Sequence, residues 1–155
     1  MPLTPFQYDW CLQLTDEMIS WPLCLPFVNM VDPELDGAPD YFDVIKNPMA
    51  LSIVKKKLEE NKYKKISAWK DDVNLIWDNA IKYNGDETLF ALMALEAKLW
   101  FNKKVDKIPK TQEDHLMRKI CSLKKDLNSL MYFIPNYIPV KREKRKQRKS
   151  VSEAV

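Results

Sequence analysis

Asn84, Tyr83, Tyr41 and the tripeptide Leu25-Pro26-Phe27 fall within one stretch, Leu25 to Asn84, that is long, apolar and rich in proline. An asparagine side chain carries both a hydrogen-bond donor and an acceptor. Placed at a helix end beside an apolar loop, it suits a small greasy pocket with one hydrogen-bonding anchor. Taken singly, these residues mean less. A lone asparagine at a helix end is more often a cap, and a tyrosine in an apolar loop is usually a core side chain with its hydroxyl at the surface. Only their joint spacing points to a site.

The elements that must hold such a pocket read as helices. Phe6, Trp10, Leu14 and Met18 recur every four residues, one stripe of a first helix that opens at Thr4-Pro5 and ends at Pro22. Residues 22–48 contain Pro22, Pro26, Pro33, Pro39 and Pro48, a density that no long helix tolerates. The segment is nevertheless apolar, so it packs against something. Long ordered loops of this kind are usually functional. A short helical turn is expected over residues 39–45. Leu51, Val54 and Leu58 mark a second helix over 49–61, and Trp69, Val73, Ile76, Trp77, Ala80 and Ile81 a third over 66–84. Ser67 or a neighbour is its expected cap, and Gly85 its terminator. A fourth helix over 88–106 carries Leu89, Leu92, Met93, Leu95, Leu99, Trp100 and Val105, with Glu87 in its opening turn. After Pro109, Leu116, Ile120, Leu123, Leu127 and Leu130 form a heptad-like seam over 111–131. Docking on the bundle and pairing with another chain are both open for it. The apolar, proline-broken segment 132–140 is expected to pack back on the domain, and the last fifteen residues are expected to be disordered.

Composition excludes several classes. The 155 residues suit one domain plus an extension. Two glycines argue against glycine-rich phosphate loops and against a hairpin-rich fold. Cys11, Cys24 and Cys121 lack CxxC spacing and His115 is the single histidine, so no metal site is read and no cofactor is expected. His115, Asp71 and Asp72 read as solvated side chains. There is no signal peptide and no run of membrane-spanning length, so a membrane role is not expected. The net charge of +3 is uneven. Residues 141–149 carry +6 and Glu153 −1, which leaves residues 1–140 at −2. The basic residues of that run, Lys141, Arg142, Lys144, Arg145, Lys146, Arg148 and Lys149, suit nuclear import, sequence-independent contact with nucleic-acid phosphates, or simple solubility.

The order and spacing of these motifs over roughly residues 4–108 resemble a bromodomain, with a loop most similar to those of acetyltransferase coactivators. The resemblance implies an all-α fold. Its core is a left-handed four-helix bundle with a long ordered loop between the first two helices, here with an extra C-terminal helix. It implies a non-catalytic reader of acetylated lysine. Asn84 takes the place of the anchoring asparagine, Tyr41 of the loop tyrosine that reaches the acetyl carbonyl through water, and Tyr83 of a lining tyrosine. Leu25, Pro26 and Phe27 resemble the shelf, Val31 a wall residue and Phe90 the gatekeeper. A rival shelf, Trp21-Pro22-Leu23, would require extra loop residues. Asp36 and Ala38 replace the usual large aliphatic groups, which implies a roomier and more polar rim.

The expected division is a bromodomain over 1–108, a helical extension over 109–140 and a basic tail over 141–155. Expected partners are acetylated histone tails or other acetylated proteins. Chromatin-complex subunits through the extension and nucleic acid through the tail complete the list, with the chain in the nucleus. The competing reading is a structural or assembly subunit that uses the 111–131 helix and the tail while the pocket stays idle. An enzyme is disfavoured, because no metal spacing, nucleophile–histidine pair or phosphate loop is present.

Overall fold

The computed structural model describes residues 3–133. The rest of the apolar segment, 134–140, and the whole basic run Lys141–Lys149 lie outside the described residues. Among those described, every regular element is helical.

Helix α1 spans Pro5–Ser20, with Pro5 in its first turn and the backbone N–H of Thr4 donating to Gln7 Oε1 at 3.1 Å. Proline suits this position because the first turn has no acceptor for its missing N–H. A tight 3-10 turn, Pro22–Phe27, follows at once. The long loop contains one short helix, α2 (Tyr41–Val44), and ends at α3 (Leu51–Glu59). Helix α4 runs Ile66–Asn84 and stops at Gly85, whose φ of +80° is open to glycine and strained for other residues. Its cap is Lys65, with no side-chain cap hydrogen bond, so Ser67 does not serve. Helix α5 (Leu89–Val105) starts at Thr88, whose hydroxyl accepts from the Ala91 N–H at 3.3 Å. Glu87 therefore precedes the cap instead of occupying the first turn. Helix α6 spans Gln112–Phe133.

Helices α1, α3, α4 and α5 enclose the core. Met18, Leu51, Val54, Leu58, Trp69, Val73, Trp77 and Phe101 are fully buried in it. The Trp69 and Phe101 rings meet edge-on at 5.1 Å. Each such side chain contributes roughly 1.5–3 kcal/mol through burial. One buried polar chain crosses the core: the Trp69 indole N–H donates to Thr15 Oγ1 at 3.2 Å, and that hydroxyl donates to the Cys11 carbonyl at 2.7 Å.

The inward face of α5 differs from the one its leucines suggest. Ala91, Ala94, Ala97 and Phe101 are buried, whereas Leu89, Leu92, Leu95 and Leu99 are exposed. Small residues let α4 and α5 approach closely, so the alanine stripe takes the interface. Two other expectations are corrected. Asp72 is half-buried and accepts from Lys57 Nζ at 2.8 Å and Tyr63 Oη at 2.7 Å. His115 stacks on Phe6 at 5.5 Å and its Nδ1 accepts from the Trp10 indole at 3.2 Å.

The chain divides into two compact units, one ending at His115 and the other beginning at Leu116. In the second, Leu116, Ile120, Leu123, Leu127 and Leu130 are all exposed.

Two stability tests follow from this core. Thr15→Val keeps the side-chain shape but leaves the Trp69 N–H without an acceptor, a loss of about 1–3 kcal/mol. A lower urea midpoint at unchanged slope is the expected result. Burial pushes the Cys11 and Cys24 thiols from 9.0 up to about 12. Their contribution to stability is complete below pH 9, where folded and unfolded thiols are both protonated. It is lost as pH rises toward 12, because the unfolded thiols ionise first. Urea midpoints measured on the reduced protein should hold steady from pH 6 to 8 and fall above 9.

Candidate functional site

Gly85 ends α4 so that Asn84 sits in its last turn, with the Gly85 N–H bonded to the Ile81 carbonyl at 2.9 Å. The Asn84 side-chain NH2 donates to the Ala80 carbonyl, one turn back, at 2.9 Å. An amide NH2 has two hydrogens. One is spent on fixing the rotamer, and the second lies outside that bond.

The long loop is held against α4 at two points. Tyr83 Oη donates to Asp40 Oδ1 at 2.7 Å, and Asn79 Nδ2 donates to the Asn47 carbonyl at 2.8 Å. A further bond runs from the Ser52 N–H to the Val28 carbonyl at 2.9 Å and fixes the loop's start against α3. Within the loop, Asp32 Oδ1 accepts from the N–H groups of Glu34 and Leu35 at 3.0 and 3.2 Å, and Asp36 Oδ2 accepts from the Asp32 N–H at 2.8 Å. Gly37, with φ +65°, turns the chain beside them. Ala38, Tyr41 and Ile45 are buried as a small second core, with Val31, Val44 and Tyr83 packed around it.

These constraints leave a cavity of about 250 Å³ between the loop and the ends of α4 and α5. Pro26, Phe27, Val31, Asp36, Ala38, Tyr41, Tyr83, Asn84 and Phe90 all line it. The Phe27 ring is braced edge-on by Trp77 at 5.3 Å, and Tyr41 by Tyr83 at 5.0 Å. Burial raises the Tyr41 phenol above its ordinary value. The Tyr83 phenol is raised by its hydrogen bond to Asp40 first and by desolvation second. Both stay neutral near pH 7, so the floor of the site is uncharged. Asp36 is exposed on the rim.

Leu25 is a correction. It does not line the cavity and is 71% exposed. Side chains three apart share a face in a 3-10 turn. Cys24 and Phe27 take the buried face, which turns Leu25 outward. The rival shelf is also placed: Trp21 lies against Trp100, ring centres 5.2 Å apart, and lines no part of the cavity.

Four lining residues were missed: Asn29, Met49, Ile76 and Ala80. Ile76 and Ala80 stand eight and four residues before Asn84, so helical spacing alone places them beneath it. Met49 follows Pro48 at the loop's end. Asn29 carries no signal in the sequence. A second opening of about 550 Å³, lined by Gln7, Ile66, Val105, Asp106, Ile108, Pro109 and Lys110, lies at the opposite end of the bundle. It is larger, but it has no comparable anchor held among apolar walls.

Tyr83→Phe removes the tie to Asp40 and keeps the ring. Because the bond is exposed, a loss of about 0.5 kcal/mol is expected. Faster amide exchange should appear in residues 36–44 and not in α3.

The sequence and fold also match known proteins. The sequence pattern described as Bromodomain matches residues 11–96. The SWR1 complex bromodomain subunit bdf1 of Schizosaccharomyces pombe is 35% identical over 94 residues, 61% of this chain and 16% of that protein. The histone acetyltransferase GCN5 of Debaryomyces hansenii is 36% identical over 98 residues, 63% of this chain and 21% of that protein. An ankyrin repeat, bromo and BTB domain-containing protein of Dictyostelium discoideum is 44% identical over 78 residues, 50% of this chain and 10% of that protein. The chain thus matches about a fifth or less of the length of these relatives. Among solved structures, the bromodomain from human BAZ1A superposes with a TM-score of 0.61 at 30% identity, covering 64% of this chain and 92% of that one.

Proposed function

Since this chain belongs to the bromodomain family, we propose that the cavity beneath Asn84 binds acetylated lysine on basic protein tails, histone tails foremost. The observation that carries the reading is the Asn84 amide. Its rotamer is fixed by the Ala80 carbonyl, and it lines a mostly apolar cavity whose one carboxylate, Asp36, is exposed on the rim. An acetylated side chain is long, apolar and neutral, and its carbonyl needs one donor. Left without that donor in the cavity, the carbonyl would cost about 1–3 kcal/mol. An unmodified ammonium would lose its water with no buried carboxylate to pair with, a cost of several kcal/mol.

The preference for basic tails rests on the rim. Asp32, Glu34, Asp36, Asp40 and Asp43 on the loop and α2, with Asp86 and Glu87 after α4, are all exposed. Lys46 and Lys82 are the basic residues in the same stretches, so the mouth is strongly negative. Such a surface attracts cationic peptides and speeds their arrival in a salt-dependent way.

The reader function is assigned to residues 1–108, with 109–140 as an extension and 141–155 as a basic tail. The role is that of a binding module without catalysis of its own. A nuclear, chromatin-associated setting is supported by the names of bdf1 and GCN5 and by the basic run at 141–149.

Calorimetry with an acetylated histone-tail peptide tests this. Asn84→Ala should weaken binding at least tenfold and leave the urea midpoint close to wild type. Equal binding by wild type and variant would refute the assignment. Raising salt from 50 to 300 mM should weaken the wild-type complex several-fold, and Asp36→Asn should flatten that dependence.

A further inference from the structure

We propose that α6 is a self-association element: two copies of the chain pair through their Leu116–Leu127 seams as an antiparallel two-helix coil. This does not rest on the ligand assigned to the pocket.

The seam alternates steps of four and three residues, which puts Ile120 and Leu127 at a positions and Leu116, Leu123 and Leu130 at d positions of a heptad. All five side chains are exposed, between 50% and 63%. A helix presenting this much apolar surface at coiled-coil spacing calls for a matching seam, and an identical helix supplies one.

Charge on the flanks selects the partner's direction. The positions beside the seam are Lys119 and Asp126 at g, and Met117, Lys124 and Met131 at e. In a parallel pair each g residue faces the e residue five places along the other chain, so Lys119 would oppose Lys124 twice. In an antiparallel pair g faces g and e faces e. The register that layers Leu116 on Leu127 and Ile120 on Leu123 sets Lys119 against Asp126 twice along the g flank of the dimer and Met117 against Lys124 along the e flank, while Leu130 falls opposite Glu113 beyond the last apolar layer. A shift of one heptad instead places Asp126 against Asp126 and Lys124 against Lys124. One orientation and one register are thus free of like-charge contacts. Antiparallel helices also align opposite ends of their dipoles.

The seam from Leu116 to Leu130 is two heptads long, shorter than the three or four of an independent coil. The pairing is therefore concentration-dependent, and a dimer joins two pockets in one particle.

Sedimentation equilibrium of the full chain, in reducing buffer from 5 to 500 µM, is the test. A monomer–dimer equilibrium is expected, abolished by Ile120→Glu and Leu123→Glu with the bundle's helicity and urea midpoint intact. Lys119→Asp should weaken the dimer at least five-fold, because it sets Asp against Asp126. Lys119→Asp combined with Asp126→Lys should restore it. A monomer across the whole range would overturn the proposal, as would a dimer indifferent to Leu123→Glu. So would tightening by Lys119→Asp, which would mean the parallel arrangement.

Discussion

The site depends on one constraint: a long loop, which has no regular structure of its own beyond one helical turn, must be held in register with the last turns of α4. Tyr83 grips it at Asp40 and Asn79 grips it at Asn47. Both donors lie on the helix that carries Asn84, so the loop walls and the anchor share one rigid reference. A loop tethered elsewhere would let Val31, Ala38 and Tyr41 drift relative to the amide they surround. The buried trio Ala38, Tyr41 and Ile45 adds a hydrophobic hold at the same place.

Selectivity follows from what this arrangement leaves uncharged. The phenols that line the cavity are held neutral, and the one carboxylate in its wall, Asp36, is on the rim and engaged with the Asp32 backbone. In the proposed reading, a neutral ligand group would meet neutral dipoles inside and negative charge outside. On that proposal the interior would discriminate by desolvation, while the rim would act by long-range attraction. The two effects respond differently to salt, since exposed charges are screened and the hydrogen bond of a half-buried neutral amide is little affected.

Much of this could be read from the sequence, for definite reasons. Proline spacing set the limits of the loop, and Gly85 fixed the end of α4, so Asn84 was placed by local rules. Periodicity located the helices, including α6. It failed to orient α5, because leucine and alanine are both apolar and pattern alone does not say which stripe faces inward. The answer depended on how near α4 must come. Leu25 was misplaced because the 3-10 turn has a period of three. Asn29 and the contacts of His115 with Trp10 and Phe6 were hidden for a different reason: their neighbours are set by the tertiary fold, and His115 meets Trp10 across 105 positions of chain.

The most direct test of the account is an NMR titration of the isotope-labelled 155-residue chain with an acetylated histone-tail peptide and its unacetylated twin. The account predicts shifts centred on Asn84, Tyr41, Phe27 and Ala80 with the acetylated peptide, and at most small rim shifts with the twin. Equal responses to the two peptides, or acetyl-dependent shifts centred away from Asn84, would contradict it.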